Sequence, residues 1–169
     1  AKTQASAILE RLAPDPTTPY TPMDAAHRLL FFGVDTAVEA LIVGIQSGKR
    51  DVAILSLDAL QWIVSQDQFG EKPLKTLPAA IAALGHHDRL VRASAINAVG
   101  EFGKAAGQAA PALLRIARTD EEYLQVVAAA AILKVSQDHE EEMRSILRTA
   151  TDSSNPMVAF VAREAIGLE

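Results

Sequence analysis

A twelve-residue apolar pattern that returns every 33 to 39 residues restricts this chain to very few folds. In the segment Val91-Arg92-Ala93-Ser94-Ala95-Ile96-Asn97-Ala98-Val99-Gly100-Glu101-Phe102, the apolar positions Val91, Ala95, Ala98, Val99 and Phe102 are spaced as one stripe of an α-helix. Leu124, Ala128, Ala131, Ile132 and Val135 repeat that spacing 33 residues later. Val158, Ala162, Ala165 and Ile166 repeat it after a further 34, and Val52, Ser56, Ala59, Leu60 and Ile63 precede the first copy by 39. Units that recur in this way bury their apolar faces against their neighbours, so the pattern predicts a stacked array.

Each striped helix has a second helix ahead of it. Pro78 and Pro111 both lie 13 residues before the first stripe residue of their repeat. Proline fits a first helical turn because its missing N–H would have no partner there. Both therefore mark helix entrances, and Ala37 to Ile45 and Glu141 to Thr151 hold the equivalent place in their repeats. The polar turns Ser47-Gly48-Lys49, His86-His87-Asp88, Thr119-Asp120 and Asp152-Ser153-Ser154-Asn155 separate the paired helices and offer oxygens to cap the second one. Alanine accounts for 31 of 169 residues and aromatics for only 5%, so the core must come from many small contacts between closely approaching helices. The expected fold is all-α, a solenoid of about five antiparallel helix pairs.

Residues 1–35 read as an atypical first pair, with a helix over Ala5 to Leu12, a proline-rich break and a second helix over Pro22 to Phe32. Four repeats follow, at about 36–70, 71–104, 105–137 and 138–169. The segment from Gln66 to Lys72 is an enlarged loop that accounts for the 39-residue offset. Gly100 and Gly103 are expected to end a helix and let the next one fold back. The missing initial Met and the final Leu168-Glu169, a frequent remnant of a cloning junction, point to a piece of a longer protein.

The run Asp88-Arg89-Leu90-Val91-Arg92-Ala93-Ser94-Ala95-Ile96-Asn97-Ala98-Val99-Gly100 resembles the second-helix signature of HEAT repeats, in the short form shared with phycobilin lyases. The resemblance implies a right-handed solenoid whose second helices line an inner face, and a scaffold in place of a catalyst. The Val-Arg pair is intact only at Val91-Arg92, with Ala53, Gln125 and Ala159 at the equivalent second positions. A regular Asp–Arg ladder between repeats is therefore not expected.

Residue chemistry points the same way. With no cysteine there is no disulfide, thiolate metal site or cysteine nucleophile. His86-His87-Asp88 reads as a solvated turn, and the single pair His139-Glu140 cannot build the two-iron centre of HEAT-like deoxyhypusine hydroxylases, which use several such pairs. The acidic run Asp138 to Glu142 is instead suited to a helix N-terminus. No serine sits in a Gly-x-Ser-x-Gly turn, and Gly100-Glu101-Phe102-Gly103 lacks the strand-to-helix context of a phosphate loop. No catalytic residue, cofactor or metal is expected. A chromophore-lyase-like or metal-dependent enzyme is one alternative and a nucleic-acid-binding helical repeat another. The net charge of −5 and the scattered basic residues argue against the second.

The expected function is non-catalytic binding of a protein or peptide. Counting along each second helix, positions that face away from the core hold Asp58 and Trp62, Asn97 and Glu101, Ala130 and Lys134, then Glu164. Asp58, Trp62, Asn97, Glu101 and Lys134 are the candidate contact residues. Trp62, the sole tryptophan, is the candidate anchor, with packing against a neighbouring helix as the competing role. The longest apolar run, Val126 to Leu133, is too short to cross a bilayer, which takes roughly 20 residues. The absence of cysteine and of a visible signal peptide tilts toward a soluble cytoplasmic protein without fixing the compartment.

Overall fold

The computed structural model describes residues 21–168. Nine α-helices are found among them: α1 (Pro22–Phe31), α2 (Val34–Ile45), α3 (Arg50–Val64), α4 (Leu77–Ala83), α5 (Arg89–Glu101), α6 (Ala110–Thr119), α7 (Glu122–Val135), α8 (Glu140–Ala150) and α9 (Pro156–Ile166). Short 3₁₀ turns cover Asp67–Phe69, Lys72–Thr76 and Gly103–Ala109, and no strand occurs among the described residues. The fold is all-α and of the solenoid class, with α2 packed on α3, α6 on α7 and α8 on α9. The helix expected over Ala5 to Leu12 lies outside the described residues.

The chain separates into two compact units, one ending at Ala98 and the other beginning at Val99, so the dividing point falls inside α5. In the first unit, α1 packs on α2 and α3, and α2 also meets the Lys72–Thr76 turn and α4. Leu29, Leu41, Leu57, Leu60, Ile63, Leu84 and Ile96 fill its core as large, fully buried side chains. Burying each contributes about 1.5–3 kcal/mol before conformational entropy is charged against it. In the second unit α7 is central, touching α6, α8 and α9 as well as the 3₁₀ turn over Gly103–Ala109. That position explains its composition: Leu124, Val126, Val127, Ala128, Ala129, Ala131, Ile132 and Val135 are all buried, so α7 is apolar on nearly every side.

Pro78 and Pro111 stand in the first turn of α4 and α6, as the spacing implies. The stripe residues Ala95, Ala98, Ala128, Ala131 and Ala162 are buried. Ala165, which shares their position, is only half-buried, because it falls in the last turn of α9 where the helix is covered less completely than α5 or α7. The enlarged loop after α3 is folded into the first two 3₁₀ turns.

Two of the four polar turns cap the helix after them. Asp88 Oδ1 accepts from the backbone N–H of Leu90 at 2.8 Å and of Val91 at 3.3 Å, and Asn155 accepts from Met157 N at 3.0 Å. Ser47 and Asp120 instead bond within their own turns, to Lys49 N and Glu121 N, and α3 and α7 begin without a side-chain cap. Arg50 Nε reaches Asp88 Oδ2 at 2.8 Å, joining the start of α3 to the turn before α5. Arg92 Nη1 donates to the carbonyls of His86 and His87, both at 3.0 Å, and so secures the same turn.

The two glycines expected to end α5 do different work. Gly103 has φ +54, the left-handed conformation that follows a helix C-terminus and suits glycine. Gly100 lies inside α5 and is buried, and a Cβ placed there would sit 3.2 Å from Ala131 Cβ and 3.5 Å from Ala131 Cα. It is a close-approach residue between α5 and α7.

Candidate functional site

The five candidate contact residues divide between the two units. Asp58 and Trp62 lie on α3, one helical turn apart, which puts their Cβ atoms roughly 6 Å from each other. The Asp58 carboxylate is half-buried and accepts a hydrogen bond from the Ser94 hydroxyl of α5. Burial raises the pKa of Asp58 from its ordinary value, and the Ser94 hydrogen bond offsets part of that rise. Asn97, three residues after Ser94 on α5, is likewise half-buried. Trp62 is half-buried, with its ring centroid 4.8 Å from that of His27 and the two ring planes at 81°. His27 belongs to α1 and is exposed. Among the described residues no cation pairs with Asp58.

In the second unit, Lys134 Nζ donates to Glu101 Oε1 at 2.8 Å. These two residues stand 33 positions apart, one repeat length, so the ion pair bridges equivalent places on α5 and α7. The Lys134 side chain is 56% exposed and that of Glu101 26%, so solvent screens the pair and its net contribution to stability is small. Ala130 is half-buried and Glu164 is exposed. Glu122, Gln125, Val126, Ser145, Ile146 and Thr149 line a shallow open groove between α7 and α8.

The histidines act as local structural groups. The His86 and His87 rings stack at 4.3 Å, and His86 Nδ1 accepts from Asp88 N at 3.0 Å. His139 precedes α8 in a left-handed conformation with φ +65, and its Nδ1 lies 3.4 Å from Glu142 Oε2. Glu140, Glu141 and Glu142 occupy the first turn of α8, where the helix dipole favours negative charge. Arg118 grips Glu142 with two hydrogen bonds of 2.7 and 2.8 Å, a forked pairing that lowers the Glu142 pKa. Among the described residues no group of three or more His, Cys, Asp or Glu side chains is placed to hold a metal ion.

A family model described as HEAT repeats matches residues 38–133, more than half of the 169. The chain belongs to the HEAT-repeat family. The matched HEAT span runs from α2 to the last turns of α7 and includes the Asp88-to-Gly100 signature. No curated protein matches the sequence. HEAT repeats commonly serve as protein-interaction scaffolds and are generally non-enzymatic. Among the described residues no helix is long and apolar enough to cross a membrane.

Two residues around the candidate anchor were not among those predicted. Ser94 carries a usable signal, since it is a hydroxyl at an inward-facing place on a HEAT second helix and must find a partner. Only Ser56, Thr76 and Ser94 are buried polar side chains among the described residues. Ser56 and Thr76 satisfy themselves on Val52 O and Pro73 O, both at 2.7 Å, whereas Ser94 reaches Asp58 on another helix. His27 carries no such signal, because its meeting with Trp62 depends on how α1 lies against α3.

Proposed function

We propose that this HEAT-repeat chain is a non-catalytic module that binds a protein or peptide through the face lined by its second helices. The observation that carries this reading is Trp62. A tryptophan contributes most when its whole ring is buried, yet this one keeps part of its surface accessible, one helical turn from the half-buried Asp58 carboxylate. An amphipathic ring with part of its surface left uncovered, flanked by polar groups, suits the centre of a protein interface. Asp58, Trp62 and Asn97 form the candidate contact in the first unit. Glu101 and Lys134 are the candidates in the second, with their charges already neutralising each other.

The cations of the chain support a protein partner over a phosphate backbone. Arg50, Lys72, Arg118, Lys134 and Arg144 are each engaged by a carboxylate of the same chain. Five of the 16 Lys and Arg side chains are engaged in this way, which together with the net charge of −5 weighs against a polyanion.

A randomised peptide library selected on the full chain tests the reading. Trp62→Ala is expected to weaken the selected peptides about 30-fold, equivalent to about 2 kcal/mol. Peptides that bind Trp62→Ala as tightly as the parent would overturn it.

A further inference from the structure

We infer that the patch around Trp62 receives a guanidinium group, an arginine side chain of the bound peptide, held between the Asp58 carboxylate and the Trp62 ring. This rests on the interaction reading above and adds the chemical class of the partner's central residue.

Asp58 is the starting point. Asp35, Asp88, Glu101, Glu140 and Glu142 each have a cation of this chain at 2.7–3.0 Å. Asp58 has a hydroxyl, that of Ser94, and among the described residues no cation. It has nevertheless been drawn partly out of water, which disfavours its charged form. A single neutral donor leaves most of the acceptor capacity of a carboxylate unused. A cation brought by a partner would satisfy that capacity in a setting less screened than the exposed pairs elsewhere on the molecule.

The surroundings select among cations. Trp62 stands one turn along the same helix, so a group bound to Asp58 lies within reach of its ring. A guanidinium is flat, is weakly hydrated for a cation and stacks on indole, so it loses less on entering a half-buried place than an ammonium does. Its forked N–H donors can serve both oxygens of the Asp58 carboxylate together. His27 meets the Trp62 ring nearly at a right angle and closes the α1 side of the patch. An aliphatic group placed there would leave the carboxylate desolvated without compensation.

The test uses peptides selected from a randomised library on the full chain, remade with citrulline in place of arginine. Citrulline keeps the shape and removes the charge. The expected result is a fixed arginine among the selected sequences and at least a tenfold weaker affinity for the citrulline peptide. Asp58→Asn, checked for native helicity by circular dichroism, is expected to cost the arginine peptide at least tenfold and the citrulline peptide little. Peptides that need Trp62 but bind equally well with citrulline would overturn this inference and leave the interaction reading standing. An arginine requirement that Asp58→Asn does not touch would remove Asp58 as its acceptor and overturn the inference as well. Peptides indifferent to Trp62→Ala, or a library that yields no binder, would overturn both.

Discussion

Replacing Gly100 with alanine places two opposing effects on one methyl group. Alanine exceeds glycine as a helix former by up to about 1 kcal/mol in a helix interior. Gly100 is the penultimate residue of α5, so only part of that gain applies. The added Cβ would lie 3.2 Å from Ala131 Cβ, 3.5 Å from Ala131 Cα and 3.9 Å from Lys134 Cδ. Unstrained carbon–carbon contacts lie at about 3.5–4.0 Å, so the nearest contact is short by a few tenths of an ångström. The Lys134 side chain can swing away. Ala131 cannot, because its Cβ is fixed to the backbone of α7 and it is 5% exposed within a packed core. Relief requires the two helices to separate locally, and overpacking of this kind costs about 1–3 kcal/mol. The expected net result is a loss of about 0.5–2 kcal/mol. Urea unfolding followed by circular dichroism measures it, as a lower midpoint with an unchanged slope. Ala131→Gly in the same chain should recover part of the loss, giving a favourable coupling of about 1 kcal/mol in a double-mutant cycle. A Gly100→Ala protein more stable than the parent would show that helix propensity acts alone and that α5 and α7 do not approach so closely.

Two further outcomes are expected. The raised pKa of Asp58 means that its contribution to stability is present below its unfolded-state value and is lost as pH rises through its folded-state value. Asp58→Asn does not titrate, so its urea midpoint should gain on that of the parent as pH rises above about 4, and a parallel pair of curves would refute this. Thr21 at Asp24, Lys72 at Asp35 and Arg118 at Glu142 lower those pKa values and destabilise both proteins in acid alike, so the comparison cancels them. His86→Ala removes the acceptor of the Asp88 N–H bond and is expected to cost about 0.5–1.5 kcal/mol, while exposed His87→Ala should stay within about 0.5 kcal/mol. Equal effects of the two in the same denaturation assay would count against the turn geometry.

Burial along the second helices was legible in the sequence because it follows from repetition. Val91, Leu124 and Val158 open three copies of one stripe, and all three are buried. The prolines at 78 and 111 were legible because their chemistry admits few positions in a helix. What depends on a particular neighbour was not. Gly100 looks like a helix terminator beside Gly103, and only the nearness of Ala131 reveals its role. Ala165 shares the stripe of Ala98 and Ala131, yet its exposure is set by what covers the end of α9. Asp58 was expected to face away from the core, and the structure places it half-buried with the Ser94 hydroxyl as its partner. Glu101 and Lys134 were predicted as separate contact residues, and their ion pair appears only once α5 and α7 lie side by side.

The unfolding free energy of Trp62→Ala is the most direct test of the claim that this HEAT chain holds Trp62 for a partner and not for its own core. Truncating a fully buried large aromatic costs about 3–5 kcal/mol. Trp62 is half-buried and meets the exposed ring of His27 on one side. Its removal is therefore expected to cost less than about 3 kcal/mol, with native helicity retained. A loss of about 3–5 kcal/mol would contradict the account, because the ring would then belong to the packing of α3 against α1.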